Sequence, residues 1–127
     1  MRVLICGSRS WSDVHVIAAI MANLPDGTVV IHGGAQGADM IAGEIAETMG
    51  LEIMEFKITK ADWKKHGKAA GPMRNSMMLG QGNPDSVIAF RMPGYSPGTD
   101  DMIRQAEAAG VPVQIVSPPI DVPLDPS

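Results

Sequence analysis

The residues able to do chemistry fall in four polar, glycine-rich segments. They are Gly7-Ser8-Arg9-Ser10-Trp11, Gly33-Gly34-Ala35-Gln36-Gly37-Ala38-Asp39, Gly71-Pro72-Met73-Arg74-Asn75, and Pro93-Gly94-Tyr95-Ser96-Pro97-Gly98-Thr99. Glycine lets backbone N–H groups approach a phosphate closely. A helix starting at such a loop adds about half a positive charge where its first amides point. Arg9 and Arg74 can each offer a bidentate guanidinium. Asp39 is an acceptor suited to ribose hydroxyls, and Trp11 or Tyr95 could stack on a base. Ordinary turn chemistry explains any one of these loops. What points to a ligand site is that all four segments meet at one edge of one sheet.

Each residue also has a plainer reading. Arg9 fits a surface position, and Asp39 fits the first turn of a helix. Trp11 could staple a helix, and His32 fits a satisfied histidine at a strand end. Met73, Met77 and Met78 suit packing or an oligomer face. Lys57, Lys60, Lys64, Lys65 and Lys68, with His66 among them, form either a solvated loop or a positive rim around an anion.

The positioning elements follow from periodicity. Short β-branched runs alternate with segments of helical spacing, which predicts βαβ units and a parallel sheet. Strands are predicted at Arg2 to Cys6, Thr28 to His32, Glu52 to Lys57, Ser86 to Arg91 and Val111 to Val116. Helices are predicted from about Asp13 to Asn23, from Ala38 to Met49, from Pro72 to near Gly80, and from after Thr99 to Gly110. The stretch from Ile58 to Ala70 reads as a long irregular connection. The first, second and fourth strands are continuous apolar runs, as central strands covered on both faces should be. Glu52 and Glu55 in the third, and Pro112 at the fifth, suit edges. The predicted architecture is a Rossmann-like three-layer α/β domain with strand order 3-2-1-4-5. Its switch point lies between strands one and four, where ligands bind in such sheets.

At 127 residues the chain fits one domain, residues 1–116, followed by a proline-rich extended tail over 117–127. No apolar run reaches the roughly 20 residues that span a bilayer. Cys6 is the single cysteine, so no internal disulfide forms, and a cytoplasmic setting is expected by default. A net charge of -4 argues against a nucleic-acid partner. Three scattered histidines make no metal site, and no cofactor is expected. The G-x-G-x-x-G fingerprint, the Walker loop and the G-x-S-x-G elbow are all absent.

Gly33-Gly34-Ala35-x-Gly37-Ala38-Asp39, Gly71-Pro72-x-Arg74-Asn75-x-x-Met78 and Gly98-Thr99 together resemble the SLOG superfamily. That superfamily includes the Lonely Guy phosphoribohydrolases and the DNA-processing protein DprA. The small YspA/YpsA-related branch is the most similar, over residues 1 to about 116. The resemblance implies that Arg74 is a catalytic or phosphate-facing residue. It also implies that the loop from Pro93 to Met102 is similar to the Lonely Guy Pro-Gly-Gly-x-Gly-Thr-x-x-Glu motif, with one extra residue. The glutamate position then falls on Met102, which can neither activate water nor stabilise an oxocarbenium-like centre. Asp101 is the neighbouring acid.

The expected function is therefore binding of a small nucleotide or nucleotide-derived ligand, in a sensing or sequestering role. The ligand-binding candidates are Gly7, Ser8, Arg9, Trp11, Gly33, Gly34, Gly37, Asp39, Pro72, Arg74, Asn75, Gly98 and Thr99. The alternative is an N-glycosidase acting on a nucleoside 5'-monophosphate or related ribosyl phosphate, with Arg74 and Asp101 as catalytic residues. A DprA-like single-strand binder is disfavoured by net acidity and few aromatics. Self-association through the helices carrying the methionines is expected from the related proteins.

Overall fold

The computed structural model describes residues 1–118. Its five strands are β1 (Arg2–Gly7), β2 (Val29–His32), β3 (Glu52–Glu55), β4 (Ser86–Phe90) and β5 (Val113–Val116). They pair in parallel in the order β3-β2-β1-β4-β5, as the sequence predicts. Leu4 aligns with Ile31 on one side and Val87 on the other, which sets the register at the centre.

Alternation along β1 explains why the central strands read as unbroken apolar runs. Val3 and Ile5 enter one core layer with Val30, Ile88 and Phe90. Leu4 and Cys6 enter the opposite layer with Ile31, Val87 and Ala89. Helices α1 (Val14–Met21) and α2 (Ala38–Thr48) cover the first face. Ala38, Ala42 and Ala46 on α2 are fully buried, and their small side chains bring that helix close to the sheet. The second face is covered by α4 (Ala70–Gly82) and α5 (Pro97–Ala108), through Met78, Met102 and Ala106.

The segment expected to be irregular is largely helical. Helix α3 spans Lys60–His66, and a 3-10 turn follows at Gly67–Ala69. A capping box starts α3: the Asp62 amide donates to Thr59 Oγ1, and the Thr59 amide donates to Asp62. Helix α4 accordingly begins at Ala70, before the predicted Pro72. Pro72 still lies in the first turn, where a missing N–H breaks no bond. Helix α5 begins at Pro97 rather than after Thr99, because proline is preorganised for the first helical position. The predicted strand ends at Lys57, Arg91 and Val111 each overrun the observed strands. The predicted tail falls mainly on residues 119–127, outside the described residues. Among the described residues no helix is long and apolar enough to cross a membrane.

Candidate functional site

The site is built at the C-terminal ends of β1 and β4, the switch point of the sheet. Ser8 ties the two following loops together. Its amide donates to the Phe90 carbonyl at 2.9 Å, and its hydroxyl accepts from the Met92 amide at 2.9 Å. Ser8 Oγ also lies 3.0 Å from Ser96 Oγ in a buried pair. Gly7 precedes it because any side chain there would strike the Phe90 carbonyl and Ala38. Arg9 is exposed at the loop tip. Trp11 is only 2 % exposed and belongs to the core. Its ring meets Phe90 edge-on at 5.4 Å, and its Nε1 donates to the Asp13 carbonyl. That corrects the expectation of a base-stacking tryptophan. Tyr95, 94 % exposed on the β4–α5 loop, is open to solvent.

The glycine-rich loop after β2 is braced from within. Asp39 is buried, and its Oδ2 accepts from the Gly33 amide at 2.9 Å and, more weakly, from the Ala35 amide at 3.5 Å. The Gly34 amide donates to His32 Nδ1 at 3.0 Å. Three amides expected to cradle a phosphate are thus already engaged. Gly37 has φ +81°, and a Cβ there would lie 2.6 Å from the Arg9 carbonyl oxygen, so only glycine lets the β1 and β2 loops touch.

The charges follow from this packing. Burial pushes the Asp39 carboxyl up to about 6, against the Gly33 hydrogen bond and the nearby Arg74 and Arg9 cations. Burial holds His32 below its ordinary range, against the attraction of Glu55. His32 is therefore neutral near pH 7. The 3.8 Å approach of its Nε2 to Glu55 is then too long for a hydrogen bond and is no ion pair. Burial likewise raises the Cys6 thiol far above its ordinary value, which removes it as a nucleophile.

Arg74 crosses from α4 to this loop. Its Nη1 donates to the Gly33 carbonyl at 2.8 Å, and its Nε donates to Asn75 Oδ1 at 3.1 Å. Burial lowers its pKa from the ordinary value, Asp39 opposes that, and Arg9 adds repulsion. Asn75 is buried, and its Nδ2 donates to the Gly98 carbonyl at 3.2 Å and to Asp101 Oδ2 at 3.0 Å. One hydrogen-bonded chain therefore joins Gly33, Arg74, Asn75, Gly98 and Asp101. Pro72 stands apart from it: its carbonyl accepts from Ser76 within α4 and from Gln105 across the α4–α5 interface.

The start of α5 is left open. Ser96 holds the N-cap position, but its side chain makes no capping bond; its hydroxyl faces Ser8 instead. Among the described residues no acceptor takes the amides of Gly98 or Thr99. Arg91 fixes the loop leading there. It grips Asp100 through Nε and Nη2, at 2.6 and 2.9 Å, and donates to the carbonyls of Met92 and Gly94. Ser96 and Arg91 were not singled out from the sequence, since their partners are 88 and nine residues away with no motif linking them.

Both Asp101 oxygens accept protein hydrogen bonds, from Asn75, Gln105 and Arg104. Met102 is fully buried among Leu4, Cys6 and Ala89. The residue at the expected glutamate position therefore points into the core. A cavity of about 170 Å³ adjoins Arg74 between α3 and α4. A larger one, of about 480 Å³, lies at the opposite edge of the sheet and is lined by no charged side chain. Among the described residues no cluster of His, Cys, Asp or Glu could hold a metal ion.

Comparison with known proteins agrees with the resemblance read from the sequence. The gene 61 protein of Mycobacterium phage D29 is 43% identical over 120 residues, covering 88% of this chain and 93% of that protein. The profile of the YspA, cpYpsA-related SLOG family matches residues 1–66, the stretch holding β1, β2, β3 and the braced glycine loop. The chain belongs to the YspA, cpYpsA-related SLOG family.

Proposed function

We propose that the chain binds a nucleotide or nucleotide-derived ligand through its phosphate, at the open start of α5 beside Arg74. The observation that carries this reading is that the Gly98 and Thr99 amides at the start of α5 meet no protein acceptor among the described residues. Asp13 caps α1 through two amides. The Gly98 and Thr99 amides of α5 lack such a partner, although the helix start is held in place by Arg91 and Asn75. Free N–H groups and the helix dipole favour an anion there. Arg74 supplies a cation, with Arg9 close enough to act on the same field. The braced β2 loop then serves as the wall that holds Arg74, not as the phosphate cradle itself.

Binding without turnover is the better-supported role. Asp100 and Asp101 each have both oxygens engaged and Met102 is in the core, so no carboxylate near the start of α5 stands ready as an acid or base. The glycosidase reading retains one favourable observation. Asp39 is a carboxylate held near neutrality within the field of Arg74, as general acid–base work requires. In that reading Asp39, not Asp101, would move the proton.

Incubation with a nucleotide panel, followed by mass spectrometry of retained and free fractions, tests both. An intact nucleotide retained by the protein is the expected result. Release of free base and ribose phosphate, lost in Asp39→Asn, would establish the hydrolase. Retention of no phosphate-bearing compound would overturn the binding reading.

A further inference from the structure

The two edges of the sheet are protected differently. Edge strand β3 carries Glu52 and Glu55, both exposed, and charge on an edge discourages pairing with another strand. Edge strand β5 reads Val113-Gln114-Ile115-Val116, with no charge, no proline and an unbroken register on β4. Ile115 is 53 % exposed. The backbone of β5 also presents unpaired groups. The Val87 amide donates to the Pro112 carbonyl and the Arg91 amide to the Val116 carbonyl, each at 2.9 Å. Backbone direction alternates along a strand, so Val113 and Ile115 turn their N–H and C=O groups away from β4. Among the described residues no backbone partner takes them.

The sheet face beside this edge is hollow. On the α1 side the cavity of about 480 Å³ is lined by Ile20 and Leu24 of α1, Ile88 of β4, and Pro112 and Gln114 at β5. An uncharged edge and a hollow lined by no charged side chain therefore meet along one strand.

We propose that β5 is the interface with a second copy of this chain, the two β5 strands pairing antiparallel about a two-fold axis at Gln114. The strand is complementary to itself when turned end for end. Val113 of each copy then exchanges both hydrogen bonds with Ile115 of the other, which pairs every outward group on both strands. Val113 and Ile115 also meet side by side as a β-branched cross-strand pair, which covers Ile115. Gln114 faces its own counterpart across the axis. Val116 of the second copy comes opposite Pro112, at the lip of the cavity, and adds apolar cover there. A strand with no charge offers nothing to select a charged partner, and a two-fold contact closes at two copies. The inference is independent of the phosphate reading, whose residues lie beyond the carboxyl ends of β1 and β4.

The test is light scattering of the full chain over a range of concentrations reaching about 1 mM, with crosslinking by substituted cysteines. A dimer is the expected result. Ile115→Pro removes an outward N–H that β4 does not use, a substitution an edge strand tolerates. Ile115→Lys places a charge on the edge. Both are expected to be folded monomers by circular dichroism and light scattering. Facing residues of a non-hydrogen-bonded pair have Cα atoms about 4.5 Å apart, within the reach of a disulfide. Gln114→Cys is therefore expected to crosslink two copies under mild oxidation, and Cys6, which is buried, is not. A parent chain that stays monomeric at every concentration would overturn the proposal, whatever else covers the edge. A dimer that persists in both Ile115 variants, or a Gln114→Cys chain that does not crosslink, would overturn it too and move the interface to another face.

Discussion

The Arg74 guanidinium occupies the space a side chain at Gly33 would fill, and its Nη1 donates to the Gly33 carbonyl at 2.8 Å. The two residues are 41 positions apart, on different elements, and each determines where the other can be. Gly33→Ala should therefore displace Arg74 and weaken ligand binding without touching any charge. Arg74→Ala should remove charge-assisted hydrogen bonds of about 1.5–3 kcal/mol, or roughly ten- to a hundredfold in affinity. Arg74→Lys should not restore it, since lysine has no planar fork. Titration of each variant with AMP checks the pair. Full affinity in both Gly33→Ala and Arg74→Ala would remove this contact from the site.

Asp39 should leave a signature in the pH dependence of stability. Its carboxyl is raised by burial to about 6 in the fold, from 3.8. Between those values the folded chain holds a proton that the unfolded chain has released. Its contribution to stability is thus fully present below about pH 4, declines as pH rises to about 6, and is flat above that. The loss is on the order of 3 kcal/mol. Asp39→Asn keeps an acceptor for the Gly33 amide and carries no charge. Denaturation of both proteins from pH 4 to 7 should show the variant gaining on the parent across that interval. Parallel profiles would contradict a buried, titrating Asp39.

Asp101 is predicted to matter for structure more than for chemistry. Asp101→Asn replaces an oxygen that receives donors with an amide that donates. Either orientation sets N–H against N–H at Asn75, Gln105 or Arg104. A cost of about 1–3 kcal/mol follows, measurable by urea denaturation. A variant as stable as the parent would show that these bonds contribute little.

Met102→Glu tests the spatial meaning of the displaced family motif. Met102 is fully buried in the α4–α5 layer, so a glutamate there is a buried, unpaired carboxylate. The expected result is loss of several kcal/mol of stability and no gain of hydrolysis. A stable variant with new N-glycosidase activity would mean that position 102 can face the crevice.

The fold was legible because burial on both sheet faces writes itself as continuous apolar runs. Leu4 and Ile5 face opposite layers, and both are fully buried. Helix α3 was less so: five lysines and a histidine masked it, although Thr59-Lys60-Ala61-Asp62 is a capping-box pattern that could have placed its start. The four glycine segments identified the right edge of the sheet, but not which amides are free. Gly33, Gly34 and Ala35 look like a phosphate cradle until Asp39 and His32 are seen to occupy their N–H groups. Trp11 was misread for a related reason. Its residue type fits stacking on a ligand or on a core ring, and only the contact with Phe90 decides. Ser8 and Ser96 meet across 88 residues, a contact that topology creates and no local pattern records.

The central claim is that a phosphate lies on the open amides of α5 beside Arg74. Titration of the ¹⁵N-labelled chain with ribose 5-phosphate, followed by amide NMR, tests it most directly. The largest shifts are predicted at Gly98 and Thr99, with a smaller response at Arg9, and all three should be greatly reduced in Arg74→Ala. Shifts confined to Gly33, Gly34 and Ala35, or no shifts at Gly98 and Thr99 at saturating ligand, would contradict it.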